Sequence, residues 1–598
     1  MSAPRHAAPT GMSYPGAPDR GAATDADPLP GYVDPMATDV LEEIGGHREV
    51  TGGPDVAARS RRLLIAVLVA VNLPVLVATV RALAAGWQPL GDNGILLVRA
   101  RDVGTSHHPL LGSWTSASLV LDQDVNNPGP LYFDAIAPTV KLLGPWVGAA
   151  VGVMLLNMAA SSLAVVAARR ISGAESMVAV AVAIAGLQFA MGSELLFDMW
   201  QPNALVLPFL AFLVVATVLA TGDLAMAPWV VGLGSVIVQT HMSHAALVVA
   251  LTFAGAVLCI LSVRRGPAPP SWRRPLMWTV AVAVLAWVQP LVEQFTGRGE
   301  GNLSRIAGAA TAGDAAAIGW SRATRLTVEI AAMGPWFTRT SYASAVPPTA
   351  PDAPVSGIVG IGLATAVLAA ILVGLAIAAV WAARRGRGGT STMITMAGVA
   401  LTAAYVALAT SPVNYIALAI HQMRWLWPIA AFLTAAGLTT AFTALRSLPR
   451  VHRGALIAGA AAAAVVAVAN LPTHTSDAPG PTDTAEYLET GQDLMSQLGK
   501  LEDRGTVLYD ASTLIFAEPF SGLTFAELQD RGIPFVFTDE GFVRQFGEGR
   551  RDDGTADLRL WQVEGSGALV VPPGAERVAL ADGGPLGPVA LFVEPIDR

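Results

Sequence analysis

Apolar runs of about 17 to 25 residues recur along this chain, and each is long enough to cross a hydrocarbon layer roughly 30 Å thick. They fall at about 62–84, 145–168, 174–191, 203–221, 226–241, 244–263, 275–292, 356–382, 391–411, 422–445 and 454–471. Composition agrees: 53% of the 598 residues are hydrophobic and only 14% charged, against roughly a quarter charged in soluble domains. The chain therefore reads as an all-α polytopic membrane protein of about eleven transmembrane helices. After residue 472 charge is spread throughout, and short apolar strands at about 506–509, 534–538, 558–563, 577–581 and 589–594 alternate with helices near 483–500 and 523–531. That pattern predicts a small α/β domain over 472–598.

Arginine placement sets the expected orientation, because basic residues in short loops are held on the cytoplasmic side. Arg59, Arg61 and Arg62 precede the first run, and Arg169 and Arg170 follow the second. Arg264, Arg265, Arg273 and Arg274 separate the sixth and seventh, Arg384, Arg385 and Arg387 follow the eighth, and Arg446, Arg450 and Arg453 precede the eleventh. All fall on one side if the amino terminus is cytoplasmic, which puts the carboxyl-terminal domain outside. Residues 1–58, rich in Pro, Gly, Ala and Asp, read as a disordered cytoplasmic tail. The membrane domain, 59–471, is broken by long exterior segments at 85–144 and 293–355, and loops beyond about 15 residues are uncommon unless they do something. Ile318–Met333 within the second has the pattern of a short interfacial amphipathic helix.

The net charge of −8 comes mainly from the termini and gives no reason to expect nucleic acid as a partner. The lone cysteine, Cys259, lies inside an apolar run, so no disulfide and no thiolate zinc site is available.

The first exterior segment carries the densest chemistry. Asp92 follows the first run by a few residues; an ionised carboxylate near the edge of the hydrocarbon is costly, so acids there usually pair or work. It can serve as a general base, or be a helix-end acid solvated by its loop. Asp102 can hold a donor, an acceptor or a metal. His107 and His108 can ligate a divalent cation (Mg or Mn) or bind phosphate oxygens, though a surface pair is the commoner explanation. Asp124, Asn126 and Asn127 lead into Pro128-Gly129-Pro130, where amides suit sugar hydroxyls or merely cap the next helix.

The run Gly91-Asp92, Arg99-Ala-Arg101-Asp102-Val-Gly104, His108-Pro109-Leu-Leu-Gly112, Asn127-Pro128-Gly129-Pro130-Leu131 and Ala137-Pro138 resembles bacterial membrane glycosyltransferases of the GT-C superfamily, kin of the protein mannosyltransferase and arabinosyltransferase branches. The resemblance covers about 60–470 and implies an enzyme of the bacterial plasma membrane that transfers a sugar, with inversion, from a polyprenyl-phosphate donor to an envelope glycan, lipid or protein. Asp92 takes the place of that family's catalytic base. Several branches carry paired acids there, whereas this chain has Asn93 after Asp92.

A donor used on the outer face has to be lipid-linked, because nucleotide sugars are too charged to cross a bilayer. The departing phosphate needs cationic neutralisation, and Arg424, at the outer end of the tenth run, is the first candidate, with an interface anchor beside Trp425 and Trp427 as the alternative. His241 and His244, at the junction of the fifth and sixth runs, can contact that phosphate or link helices. Asp198 adds an acidic edge between the third and fourth. Two other classes compete: a transporter or flippase of lipid-linked precursors, which predicts broken helices and midplane charges, and a non-catalytic membrane scaffold.

Overall fold

The computed structural model describes residues 54–115, 118, 123–266, 271–311, 317–331, 359–412, 420–474, 485–514 and 518–596. The expected amino-terminal tail lies outside them but for its last residues, where the first helix already begins at Pro54. Residues 475–484, near the start of the expected α/β domain, and much of 293–355 also lie outside.

Ten helices among the described residues are long and apolar enough to cross a membrane: Ala58–Ala84, Pro145–Ser172, Ala174–Met191, Gln201–Ala220, Met242–Arg265, Arg273–Thr296, Ile361–Arg384, Gly388–Thr410, Leu426–Ser447 and Pro449–Ala469. The fifth expected run is a shorter apolar helix, Leu224–Thr240. The bundle is built outward from one element. Val206–Ala220 is apolar all round and every residue in it is buried, as a helix must be when other helices surround it. Arg273–Thr296, Ile361–Arg384 and Pro449–Ala469 lie at the periphery. They leave Leu285, Phe295, Ile377 and Val465 bare, surface that only lipid or a partner can cover.

The two ends of the bundle differ in charge. At one, Arg170 pairs with Asp223 at 2.8 Å, Arg446 with Glu175 at 2.6 Å, and His452 meets the same Glu175 oxygen at 2.9 Å. Ser172 bonds Thr390 at 2.8 Å, so the arginine-flanked helix ends converge. At the other end lie Asp92, Asp198, His241 and His421, with the carboxyl-terminal domain.

That domain is a five-stranded sheet of order β2-β1-β3-β5-β4, with β1 Val507–Asp510, β2 Phe535–Val536, β3 Leu558–Glu564, β4 Glu576–Asp582 and β5 Pro588–Pro595. β1 runs parallel to β2 and β3, while β5 is antiparallel to β3 and β4. Helices Ala485–Gln497 and Ser521–Asp530 form where the sequence predicts them. Glu540–Phe546, which it does not, is started by Asp539 accepting from the Phe542 amide at 2.9 Å.

The sheet domain does not hang free. Leu90, Leu96, Leu97 and Tyr132 share one apolar core with Leu494, Phe520, Phe525 and Leu560. The first exterior segment contributes two helices, Asp92–Asp102 and Leu131–Leu143. Asp92–Asp102 crosses Ser521–Asp530 at Gly94 and Gly522, where a methyl on either glycine would run into backbone.

One expectation needs correction. The helix over Trp320–Ala331 does not lie on the surface: Ala323, Leu326 and Ile330 are buried in the main bundle core and Val328 in a second cluster with Leu368 and Leu401. Its apolar face is consumed by neighbouring helices, and Thr324 bonds the Tyr405 hydroxyl at 3.1 Å.

Candidate functional site

The site begins at a turn. Gly91 takes the left-handed φ of 53° that a side chain would resist, and its amide donates to the Pro519 carbonyl at 2.7 Å. The chain then enters the Asp92–Asp102 helix with Asp92 in its first turn, where the helix dipole favours an anion. Asp92 is exposed at its helix end, with Trp200, Asp198 and Glu518 around it. Burial pushes its pKa above the usual carboxylate range; the Trp200 indole opposes this by donating to Oδ2 at 2.9 Å, and the charges of Asp198 and Glu518 add to the rise.

Beneath this carboxylate lies a buried polar floor. Asp198 accepts from Asn93 Nδ2 at 2.6 Å, from Asn203 Nδ2 at 2.6 Å and from the Trp200 amide at 3.2 Å. Arg424, fully buried, donates to Asn203 Oδ1, so one amide links guanidinium and carboxylate. The same guanidinium lies 5.8 Å from the centre of the Trp200 ring, within reach of a cation–π attraction. Burial raises the Asp198 carboxyl, and the two amides together with Arg424 pull it back.

A histidine wall stands beside Trp200. His421 packs on it edge-on at 5.4 Å. His241 and His244 lie 6.0 Å apart, joined through Ser243, which meets His241 Nδ1 at 2.7 Å and His244 Nδ1 at 3.3 Å. Burial depresses His241 to about 4 and His421 to about 3, the latter helped by His241 and Arg424. Both are neutral imidazoles at neutral pH, hydrogen-bonding groups and not cations. Asn127 supports this wall from the first exterior segment: its Oδ1 accepts from the Met242 amide at 2.9 Å.

Asp92, Asp198, His241, His244, Arg424 and, as a support, Asn127 therefore come together. Asp102, His107 and His108 do not join them. Asp102 is buried and receives both Arg550 nitrogens, one at 2.9 Å, together with Arg99 at 3.3 Å and Gln529 at 2.8 Å. His107 packs on Gly549. His108 accepts from the Gly104 amide through Nδ1 at 2.9 Å, which leaves Nε2 to donate to Gln289 at 2.9 Å, and Gln289 continues to Asp134 at 2.7 Å. Among the described residues no three His, Cys, Asp or Glu side chains are grouped to hold a metal ion.

Trp200 and Glu518 take parts that the sequence hides. A tryptophan at a span end reads as an interface anchor, and Glu518 is more than four hundred positions from Asp92. No family model matches the chain, nor does any curated protein or solved structure.

Proposed function

We propose that this protein is a membrane-embedded glycosyltransferase that moves a sugar from a polyprenyl-phosphate donor to a hydroxyl of an envelope acceptor, at the end of the bundle away from the arginine clusters and on the outer face of the membrane. The observation that carries this reading is Asp92: an exposed carboxylate with its pKa raised and an indole N–H on one oxygen. Perturbed acids in such places are matched to proton transfer.

In the proposed step Asp92 takes the proton of the acceptor hydroxyl. The oxygen attacks the anomeric carbon from the face opposite the phosphate, the bond from that carbon to the phosphate oxygen breaks with its electron pair, and the configuration inverts. Arg424 supports the growing phosphate charge through its field from beneath Trp200, and neutral His241 and His421 offer hydrogen bonds. The polar groups cluster at helix ends and not at mid-span, which favours an enzyme over a carrier.

Purified protein assayed with several polyprenyl-phosphate sugars tests the reading. Asp92→Asn should lower transfer by about a hundredfold or more, the range for losing a general base, with thermal stability retained. Undiminished transfer by Asp92→Asn refutes the base, and no transfer by the wild type with any donor turns the reading toward a carrier or scaffold.

A further inference from the structure

The sheet domain gathers a second set of polar side chains, on the face that packs against the Ser521–Asp530 helix, which in turn meets the Asp92 helix. β1 and β3 are adjacent and parallel, but the chain leaving β1 turns toward β2 while that leaving β3 turns toward β4 and β5. Where neighbouring connections diverge in this way, a crevice opens beyond the carboxyl ends of the strands. Tyr509 of β1, Gln562 and Glu564 of β3, and Glu518 of the following loop meet there.

The hydrogen bonding of these groups is incomplete. Gln562 Nε2 donates to Glu518 at 2.7 Å and to Glu564 at 3.0 Å. Glu518 also accepts from the amides of Phe520 at 2.7 Å and Ser521 at 3.0 Å, at the start of the Ser521–Asp530 helix. The Tyr509 hydroxyl, Gln562 Oε1 and Glu564 Oε2 have no hydrogen-bond partner among the described residues, although Tyr509 and Gln562 are only 1% exposed. Buried polar atoms left unpaired are rare and costly, and a cluster of them at the mouth of a crevice marks a place where a ligand completes the set. The Tyr509 hydroxyl and the Glu564 carboxyl are both pushed up by burial and by the charge of Glu518, which places all three groups in one field.

We propose that this crevice is a saccharide-binding subsite that holds the acceptor next to Asp92. The proposal deepens the glycosyltransferase reading and rests on it only for the word acceptor. The open groups are mainly acceptors, so the ligand must bring donors, and vicinal hydroxyls bring donors together with an oxygen that the Tyr509 hydroxyl can meet. A divalent cation fits less well, since it needs six or more oxygens and only two carboxylates are present. Asp510, the next acid, is engaged by Arg559 at 2.9 Å. Proximity supplies the link to the reaction: Pro519, the neighbour of Glu518, accepts from the Gly91 amide, and the Glu518 charge reaches Asp92.

The test is titration calorimetry on the full-length protein in detergent micelles, using a mannopyranose trisaccharide, an arabinofuranose trisaccharide, Ca²⁺ and Mg²⁺ as separate probes. At least one trisaccharide should bind the wild type, and Tyr509→Phe and Glu564→Gln should each weaken it about tenfold, the effect of one good hydrogen bond. Because the Tyr509 hydroxyl is unpaired among the described residues, Tyr509→Phe should leave the thermal midpoint unchanged or raise it, whereas a structural hydroxyl would lower it. The proposal fails if neither trisaccharide binds, if Tyr509→Phe lowers the midpoint and leaves binding intact, or if Ca²⁺ or Mg²⁺ binds in a Glu564-dependent way. Measuring transfer beside binding separates the two readings. Trisaccharide binding without transfer in the wild type sinks the enzyme and keeps the subsite, while transfer that Tyr509→Phe and Glu564→Gln leave untouched, at unchanged acceptor KM, sinks the subsite and keeps the enzyme.

Discussion

The indole of Trp200 donates its one hydrogen to Asp92 Oδ2 at 2.9 Å, while the backbone amide of the same residue donates to Asp198 Oδ1 at 3.2 Å. One residue thus holds an open carboxylate and a buried one in fixed relation. Arg424 lies under the ring and His421 packs against it, so Trp200 stands between exposed Asp92 and the buried polar groups.

That relation makes a prediction about pH. The Trp200 hydrogen bond stabilises the charged form of Asp92 and so lowers its pKa against the upward push of burial. Trp200→Phe keeps the ring and removes the N–H, so the Asp92 pKa should rise further. A base works only above its pKa, so the acid limb of the transfer rate should move to higher pH in Trp200→Phe. A limb that stays put or moves down shows that another group controls it.

Gly94 and Gly522 bring the Asp92 helix against the sheet domain at backbone contact. Gly94→Val forces the two helices apart, and overpacking of this sort costs about 1 to 3 kcal/mol. The expected outcome is a lower thermal midpoint with faster proteolytic cleavage between membrane bundle and sheet domain. Transfer should fall too, although no reacting group has been changed.

Asp102 offers the complementary case. It is buried between Arg99 and Arg550, and breaking a buried pair by removing one partner costs about 3 to 5 kcal/mol. Asp102→Asn should therefore destabilise the protein strongly, seen as a drop in the thermal midpoint, while the folded fraction keeps its turnover. A turnover loss beyond the folded fraction would return Asp102 to the chemistry.

Asp102 and Arg424 show where a sequence stops being legible. Apolar runs place the bundle helices to within about five residues at each end, the fifth being too short to count as a span, since lipid imposes length and composition on each helix separately. The strands of the sheet domain are equally local, being short apolar stretches between turn residues. Asp102 reads as a residue that holds a donor, an acceptor or a metal because its partner, Arg550, is 448 positions away and nothing near either residue announces the pairing. Arg424 is expected at a span end beside Trp425 and Trp427, yet its complete burial and its bond to Asn203, which the chain brings in from another helix, are not written near it in the sequence. The Trp320–Ala331 helix is amphipathic by sequence, and amphipathicity alone does not distinguish a lipid surface from a neighbouring helix.

The histidine wall predicts a pH dependence of stability. His241 is depressed to about 4 and His421 to about 3 in the folded protein, against about 6.5 when unfolded. Below 6.5 the unfolded chain takes up protons that the folded one refuses, so stability should decline as pH falls from about 6.5 to about 4. Thermal midpoints measured across that window should slope downward toward acid, and His241→Gln with His421→Gln should flatten the slope. An unaltered slope in the double variant assigns it to other groups.

Orientation is the last prediction and the one on which the donor argument rests. Arginine-flanked helix ends gather at one end of the bundle through Arg170–Asp223 and Arg446–Glu175, and the candidate site lies at the other. If basic loops are retained in the cytoplasm, Asp553 on the sheet domain faces outward and Arg385 inward. Both positions are exposed, and native Cys259 is buried, so single cysteines report cleanly in a Cys259→Ala background. A membrane-impermeant maleimide added to spheroplasts should label Asp553→Cys directly and Arg385→Cys only after permeabilisation. The reverse pattern would put Asp92 in reach of cytoplasmic nucleotide sugars, and the need for a lipid-linked donor would disappear with it.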